Sequence, residues 1–201
     1  MPAFFNCSLV PTDQRSKLQP TALKWLKITQ RREERGRRKR GKTMTQTIII
    51  IRPATAADHP FIFSLSTRLA MVAQLPGRKE AEIQAFQDRH MQAALGKTGD
   101  QSATLVAAMP TGPVLGFIHL QPKPDPVTSE PAGYVSMLAV VPEAEGQGIA
   151  QQLMEAAENW ARAHGFRCLS LDVFASNERA RRFYDRIGFA EDSVKLYKLL
   201  K

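Results

Sequence analysis

Val140-Val141-Pro142-Glu143-Ala144-Glu145-Gly146-Gln147-Gly148-Ile149-Ala150 takes the chain out of a strand, through a short loop and into a helix. The apolar run Tyr134–Val141 precedes it. Beyond Gly148, residues Ile149, Leu153, Ala157, Trp160 and His164 recur at helical spacing, and Gly165 supplies a C-terminal stop. Cys168–Phe174 follows as a buried strand. A strand–helix–strand order of this length implies a crossover between parallel strands. The first turn of the helix offers free N–H groups and the positive end of the helix dipole. Gly146 and Gly148 leave room for an anion to approach the backbone, so the loop suits a pyrophosphate held without a basic side chain. It is neither the dinucleotide fingerprint nor a P-loop with its lysine. A glycine turn entering an ordinary helix gives the same pattern, so the loop alone leaves both readings open.

Working outward, Ile48–Arg52 reads as a β-branched strand stopped by Pro53. A helix over 58–71 carries Phe61, Leu65 and Leu69 at four-residue spacing, with Asp58 as its cap. A second helix spans 78–95, with Ile83, Phe86 and Met91 on one side. Ala103–Met109 and Val114–Leu120 form a hairpin turned by Pro110-Thr111-Gly112-Pro113, and residues 121–131 form a loop. A short helix over Ala180–Arg186 ends at Gly188, and Val194–Leu200 alternates as a last strand. The order predicts an α/β fold: a mixed central sheet with helices on both faces.

The chain has 201 residues and a formal net charge of +9, which looks like a nucleic-acid signature until the chain is divided. Residues 1–43 hold twelve Lys or Arg against three Asp or Glu, whereas residues 44–201 hold sixteen of each. The domain is therefore neutral, and the basicity belongs to a leader that cannot bury apolar surface and reads as disordered. A nucleic-acid tail and a transit segment are two readings of that leader. A third is that it is not native. Met44 directly precedes the first strand, and Arg, Lys, Glu and Gly can all be written with purine-only codons. A purine-rich ribosome-binding site translated by mistake would give the run at 31–42. N-terminal sequencing of the natural protein tests this, and a chain beginning at Met1 would sink it. The expected domains are thus a leader, 1–43, and a domain, 44–201. Cys7 and Cys168 make neither a disulfide framework nor a metal-ligand pattern, which fits a reducing, cytoplasmic setting. No metal is expected. The longest aliphatic run, Ile48–Ile51, is far too short to span a bilayer, so no membrane partner is expected.

Downstream of the glycine loop stands Asn177-Glu178-Arg179-Ala180-Arg181-Arg182-Phe183-Tyr184-Asp185-Arg186-Ile187-Gly188-Phe189. Leu138-Ala139-Val140, the loop from Glu145 to Ala150, and Asn177 to Phe189 lie in the order and spacing of one family. Residues 48–200 resemble the GNAT superfamily of N-acetyltransferases, and Ile51-Arg52-Pro53-Ala54-Thr55 looks like many of its N-termini. The ordered combination is far more specific than any one piece.

The resemblance implies a GNAT-like acyl-CoA N-acyltransferase fold, acetyl-CoA as cosubstrate, and a small-molecule or peptide amine as acceptor. Strands 134–141 and 168–174 would splay apart to admit the cofactor arm. Leu138, Ala139 and Val140 would pair with pantetheine, and a free N–H near Leu138 or Ala139 would polarise the thioester carbonyl. Gly146, Gln147, Gly148, Ile149 and Ala150 would hold the pyrophosphate, and Asn177 would contact pantetheine or cap its helix. Tyr184 matches the general acid for the CoA thiolate. Tyrosine titrates near 10 and a thiol near 8.5, so the transfer is uphill by about 1.5 units, or about 2 kcal/mol. A core aromatic beside Phe183 is the plain alternative. Arg181 and Arg182 are candidates for the 3′-phosphate or for a solvated face.

Two departures stand out. Glu145 occupies a position where the family has Gln or Arg, so it would turn to solvent, pair with a nearby Arg, or weaken cofactor binding. The stretch Gly133-Tyr134-Val135-Ser136-Met137 lacks the carboxylate that many relatives place there as a base, and His119 is one substitute. Residues 70–95 and 121–131 are expected to wall the acceptor. Two other functions stay open: a non-catalytic acyl-CoA-binding module, and a nucleic-acid-associated protein acting through the leader. Dimers are common in such a family, so a homodimer is one assembly the resemblance allows.

Overall fold

The computed structural model describes residues 48–96 and 101–200. The expected leader, residues 1–43, lies outside the described residues.

Five strands form one sheet in the order of the chain. They are β1 (Ile50–Pro53), β2 (Ala103–Ala108), β3 (Val114–Pro124), β4 (Pro131–Val140) and β5 (Leu169–Leu171). The first four pair antiparallel, and β4 pairs with β5 in parallel, as the crossover pattern requires. Helices α1 (His59–Ser64), α2 (Ser66–Met71) and α3 (Glu80–Gly96) lie between β1 and β2 in the chain, α4 (Ile149–Ala163) between β4 and β5, and α5 (Glu178–Arg186) after β5. Ile118, Leu120 and Val135 bury one sheet face against Ile149, Leu153, Met154 and Ala157 of α4. Val106, Phe117, Met137 and Ala139 bury the other against Ile62, Leu65, Met91 and Ala94 of α1 to α3. Fully burying each such side chain contributes about 1.5–3 kcal/mol, so the two clusters fix the layers. The fold is the mixed α/β sheet with helices on both faces that the sequence predicts. Among the described residues no helix is long and apolar enough to cross a membrane.

One irregularity positions the site. His119 stands opposite Met137, but Leu120 stands opposite Val135, so Ser136 is an extra residue in β4. The bulge switches the alternation of faces. Val135 joins the α4 cluster, Met137 and Ala139 join the opposite one, and Leu138 and Val140 return to the α4 side. Without the bulge, Val135 and Met137 would share a face.

Four expectations fail. The loop expected at 121–131 is shorter, because β3 continues to Pro124 and β4 starts at Pro131, the two paired to their ends. The helix over 58–71 is two short helices, because the Ser64 hydroxyl donates to the Phe61 carbonyl at 2.6 Å and Leu65 N–H steps back to Ile62 at 3.1 Å. The strand expected at 168–174 is only Leu169–Leu171, and it is not buried: Cys168 and Ser170 are exposed. Beyond Leu171 it has no partner strand in the described residues, so nothing sustains its ladder. The last strand, 194–200, does not form. Its apolar side chains Val194, Leu196, Tyr197, Leu199 and Leu200 all stay exposed, although Tyr197 lies under the Arg78 guanidinium at 4.6 Å and Leu199 abuts Gly77. Alternation gives a segment a strand-like face but no hydrogen-bonding edge to pair with.

Candidate active site

The parallel pairing of β4 and β5 runs only from Gly133–Leu169 to Val135–Leu171. Beyond Val135, β4 continues for five residues with no partner on that side among the described residues. The hydrogen-bonded ladder therefore leaves a gap between β4 and the chain leaving β5. On its closed side, Val141 N–H donates to the Leu115 carbonyl at 2.8 Å. Alternation from that bond turns the N–H of Ala139 toward β3 and those of Leu138 and Val140 into the gap. Of the two candidates for a free donor, the geometry selects Leu138 rather than Ala139.

The glycine loop closes the top of the gap. Pro142–Ala144 forms a single 3₁₀ turn, whose bonds use the N–H groups of Ala144 and Glu145. The next backbone bond is Gln152 N–H to Gly148 carbonyl. Between them, the N–H groups of residues 146–151 find no backbone acceptor among the described residues. Gly146 and Gly148 take φ values of 74° and 78°, a region that side chains strain to adopt, and a Cβ on either would meet nothing within 4 Å. This is an open cradle of backbone donors at the N-terminus of α4, a fifteen-residue helix. Gln147 turns away from it, its side-chain amide donating to the Glu143 carbonyl at 3.0 Å.

Glu145 pairs with arginine, as one of its three expected outcomes required, and with two at once. Arg68 of α2 bonds one carboxylate oxygen, and Arg179 of α5 bonds the other at 2.6 Å. Neither was identifiable from sequence, since Arg68 lies 77 residues away. Arg181 pairs with Glu191, and Arg182 stands 3.4 Å from Glu178. The same two sides of the gap meet again through Ser176, whose hydroxyl donates to the Val72 carbonyl at 3.0 Å.

Asn177 caps α5, its side-chain oxygen accepting from Ala180 N–H at 3.1 Å. Its amide nitrogen donates to none of the described residues. Two turns on, Tyr184 packs between the rings of Phe183 and Phe189, at 5.2 and 5.8 Å, against the same core cluster as Leu138 and Val140. Burial pushes its phenol up to about 12. Its hydroxyl has no hydrogen-bond partner among the described residues, so it is available to a ligand.

His119 is 2% exposed and shares a 2.8 Å hydrogen bond with Thr104, which buries it in the sheet rather than in the gap. A different carboxylate stands where the β4–β5 ladder ends. Asp172, the first residue after β5, accepts from the Tyr134 hydroxyl at 2.7 Å, and Lys123 Nζ lies 3.4 Å from the same oxygen and 4.0 Å above the Tyr134 ring. Desolvation, and then the bond to Asp172, push the Tyr134 phenol well above the usual tyrosine range. The signal in the sequence was a carboxylate directly after a strand parallel to β4. The sequence reading sought a base on β4 and at His119 of β3, and not beyond β5. Two open depressions of about 380 and 240 Å³ lie at the other end of β4, around Glu130, Pro131 and Arg167, and hold none of these groups.

A model of the acetyltransferase (GNAT) family matches residues 69–189. Among curated relatives, the aminoglycoside N(6')-acetyltransferase type 1 of Klebsiella aerogenes is 33% identical over 98 residues, 48% of this chain and 64% of that enzyme. The chain spans about 63–64% of the length of the first curated relatives it matches. Solved structures carry the same fold. A Pyrococcus furiosus chain described as an acetyl transferase superposes with a TM-score of 0.64 at 21% identity, over 76% of this chain and all of that one. The aminoglycoside acetyltransferase AAC(6')-Iy, in complex with a bisubstrate CoA analogue, superposes with a TM-score of 0.54 at 23% identity, over 77% of this chain and 99% of that one.

Proposed function

The chain belongs to the acetyltransferase (GNAT) family, and from that premise we propose that it transfers an acetyl group from acetyl-CoA to a primary amine by direct attack. The observation that carries the reading is the unpaired run of β4 with the N–H of Leu138 facing a gap whose top is the glycine cradle. An extended amide-bearing arm adds to such a strand edge, and a diphosphate fits the donors of residues 146–150. The amide nitrogen of Asn177 and the backbone at Leu138 and Val140 hold the arm. The Leu138 N–H stabilises the oxyanion that develops on the thioester carbonyl.

In the transfer, the amine nitrogen bonds to the acetyl carbon and the carbon–sulfur bond breaks. The Tyr184 hydroxyl gives its proton to the leaving sulfur, and the proton shed by the acylated nitrogen restores the phenol, directly or through water. An alkylamine is charged at neutral pH, and freeing its lone pair costs about 4.6 kcal/mol at pH 7. Asp172, at the end of the β4–β5 ladder, is the group proposed to take that proton, directly or through water, and the face of Tyr134 with Asp172 suits a cation. Lys123 holds that place in the free chain and is displaced by the acceptor. The relatives' aminoglycoside acceptors fit this class of amine. The activity resides in residues 44–201, acts in the cytoplasm and needs no leader.

Release of free CoA thiol over a panel of amines tests the proposal. Turnover with at least one primary amine is the expected result. Acetyl-CoA binding with no thiol release for any amine would instead identify a non-catalytic acyl-CoA-binding module.

A further inference from the structure

A carboxylate at the lip of a diphosphate cradle is electrostatically misplaced unless it has a task there. Glu145 directly precedes Gly146, and both of its oxygens are engaged by guanidinium groups from different helices. The three side chains together carry one positive charge. Arg68 and Arg179 are 35% and 68% exposed, so neither is locked by packing and both can turn to a new partner over the loop. Arg179 lies in the first turn of α5, two residues past Asn177, and Arg68 comes from α2 on the other side of the gap. An arginine forks onto two oxygens of one anion, and both a carboxylate and a phosphate offer such a pair.

We propose that Arg68 and Arg179 are side-chain ligands of the cofactor diphosphate, and that Glu145 occupies their guanidinium groups as an internal stand-in which the diphosphate displaces. The proposal rests on the acetyl-CoA reading of the cradle. It explains how a chain with Glu at the position of the family's Gln or Arg still presents a cationic site. The cations are imported from α2 and α5, and the carboxylate holds them over the loop when no cofactor is bound. The cost is competition: each pair must open before the diphosphate is fully engaged. Because Arg68 belongs to α2, cofactor binding also frees one tie between that helix and the loop.

The test compares acetyl-CoA with S-acetyl-pantetheine, which lacks the diphosphate, in the full chain. Glu145→Gln is nearly isosteric and removes the competitor. It is expected to tighten acetyl-CoA about three- to tenfold, the range that two half-exposed ion pairs carry, with kcat/KM for S-acetyl-pantetheine unchanged. The double variant Arg68→Ala, Arg179→Ala is expected to weaken acetyl-CoA at least tenfold and to leave S-acetyl-pantetheine unchanged. Unchanged or weaker acetyl-CoA binding by Glu145→Gln overturns the proposal. So does an equal loss for both ligands, which would mark a purely structural bridge. A wild-type chain that binds no acetyl-CoA overturns the cofactor reading itself and this proposal with it.

Discussion

Replacing Tyr184 by Phe removes one hydroxyl and leaves the packing in place. The ring sits between Phe183 and Phe189 and makes no hydrogen bond to any described residue, so the fold has nothing polar to lose there. Burial raises the phenol to about 12. Against an ordinary thiol near 8.5, proton transfer is then uphill by about 3.5 units, or about 4.8 kcal/mol, rather than the 2 kcal/mol or so of an unperturbed tyrosine. Part of this gap closes in place, because the same dry surroundings disfavour the thiolate. A weak acid gives general-acid catalysis toward the low end of its usual range, so kcat is expected to fall about a hundredfold. Thiol release measures kcat, and calorimetry measures the acetyl-CoA Kd, which is expected to stay within twofold. The pH profile gives an independent check. The acid is active while protonated and loses its proton only near 12, so kcat should show no descending limb up to pH 10. A variant retaining kcat within threefold of wild type refutes the assignment. A limb in the wild type with a pKa below 10 refutes the desolvation.

Gly148→Val puts a β-branched side chain at φ 78° and fills the open cradle. It is expected to raise the acetyl-CoA KM more than tenfold, at a strain of about 1–2 kcal/mol seen as a lowered Tm. In Gly116→Ala the new Cβ would come within 2.8 Å of the Ala139 carbonyl oxygen, an unyielding backbone atom, so β4 must shift. Both Tm and kcat should fall, and an unchanged Tm would show that the strand pair is looser than described. Asp58 is buried, forms a two-pronged pair with Arg52 at 2.8 Å and accepts from Thr55 N–H at 2.7 Å. The hydrogen bonds from Arg52, and then those from Thr55, hold its carboxyl well below the usual carboxylate range. Because the folded-state value is depressed, its stabilisation is complete above the unfolded value near 3.9 and is lost as pH falls below it. Asp58→Asn should cost about 2 kcal/mol at pH 7, or a Tm drop of about 4–8 °C, and should flatten the stability profile below pH 4. Deleting residues 1–43 should leave kcat/KM unchanged, and a loss of turnover would place function in the leader.

Much of the site was legible because its parts are set by forces a few residues long. A glycine pair at 146 and 148 is what a left-handed turn before a helix requires, and both glycines take positive φ. Asn177 caps α5 because its oxygen reaches an N–H three residues on. Ile149, Leu153 and Ala157 are buried because helical spacing puts them on one face of α4. The parallel crossover from β4 to β5 follows from the same periodicities. What stayed hidden depends on partners distant in the chain. The extra residue Ser136 is visible only against β3, yet it decides that Leu138 rather than Ala139 turns its N–H into the gap. Asp172 becomes a candidate base because β5 ends beside β4 and Tyr134 reaches across. The segment 194–200 alternates like a strand but finds no edge to complete its hydrogen bonds. The strand–loop–helix stretch from Val140 to Ala150 supplied the anion cradle, and the family resemblance came only from its order and spacing with Leu138-Ala139-Val140 and Asn177 to Phe189. Tertiary structure alone supplied the cations around it, since charge pairs form wherever folding brings helices together, and no spacing in the sequence records that Arg68 and Arg179 meet at Glu145.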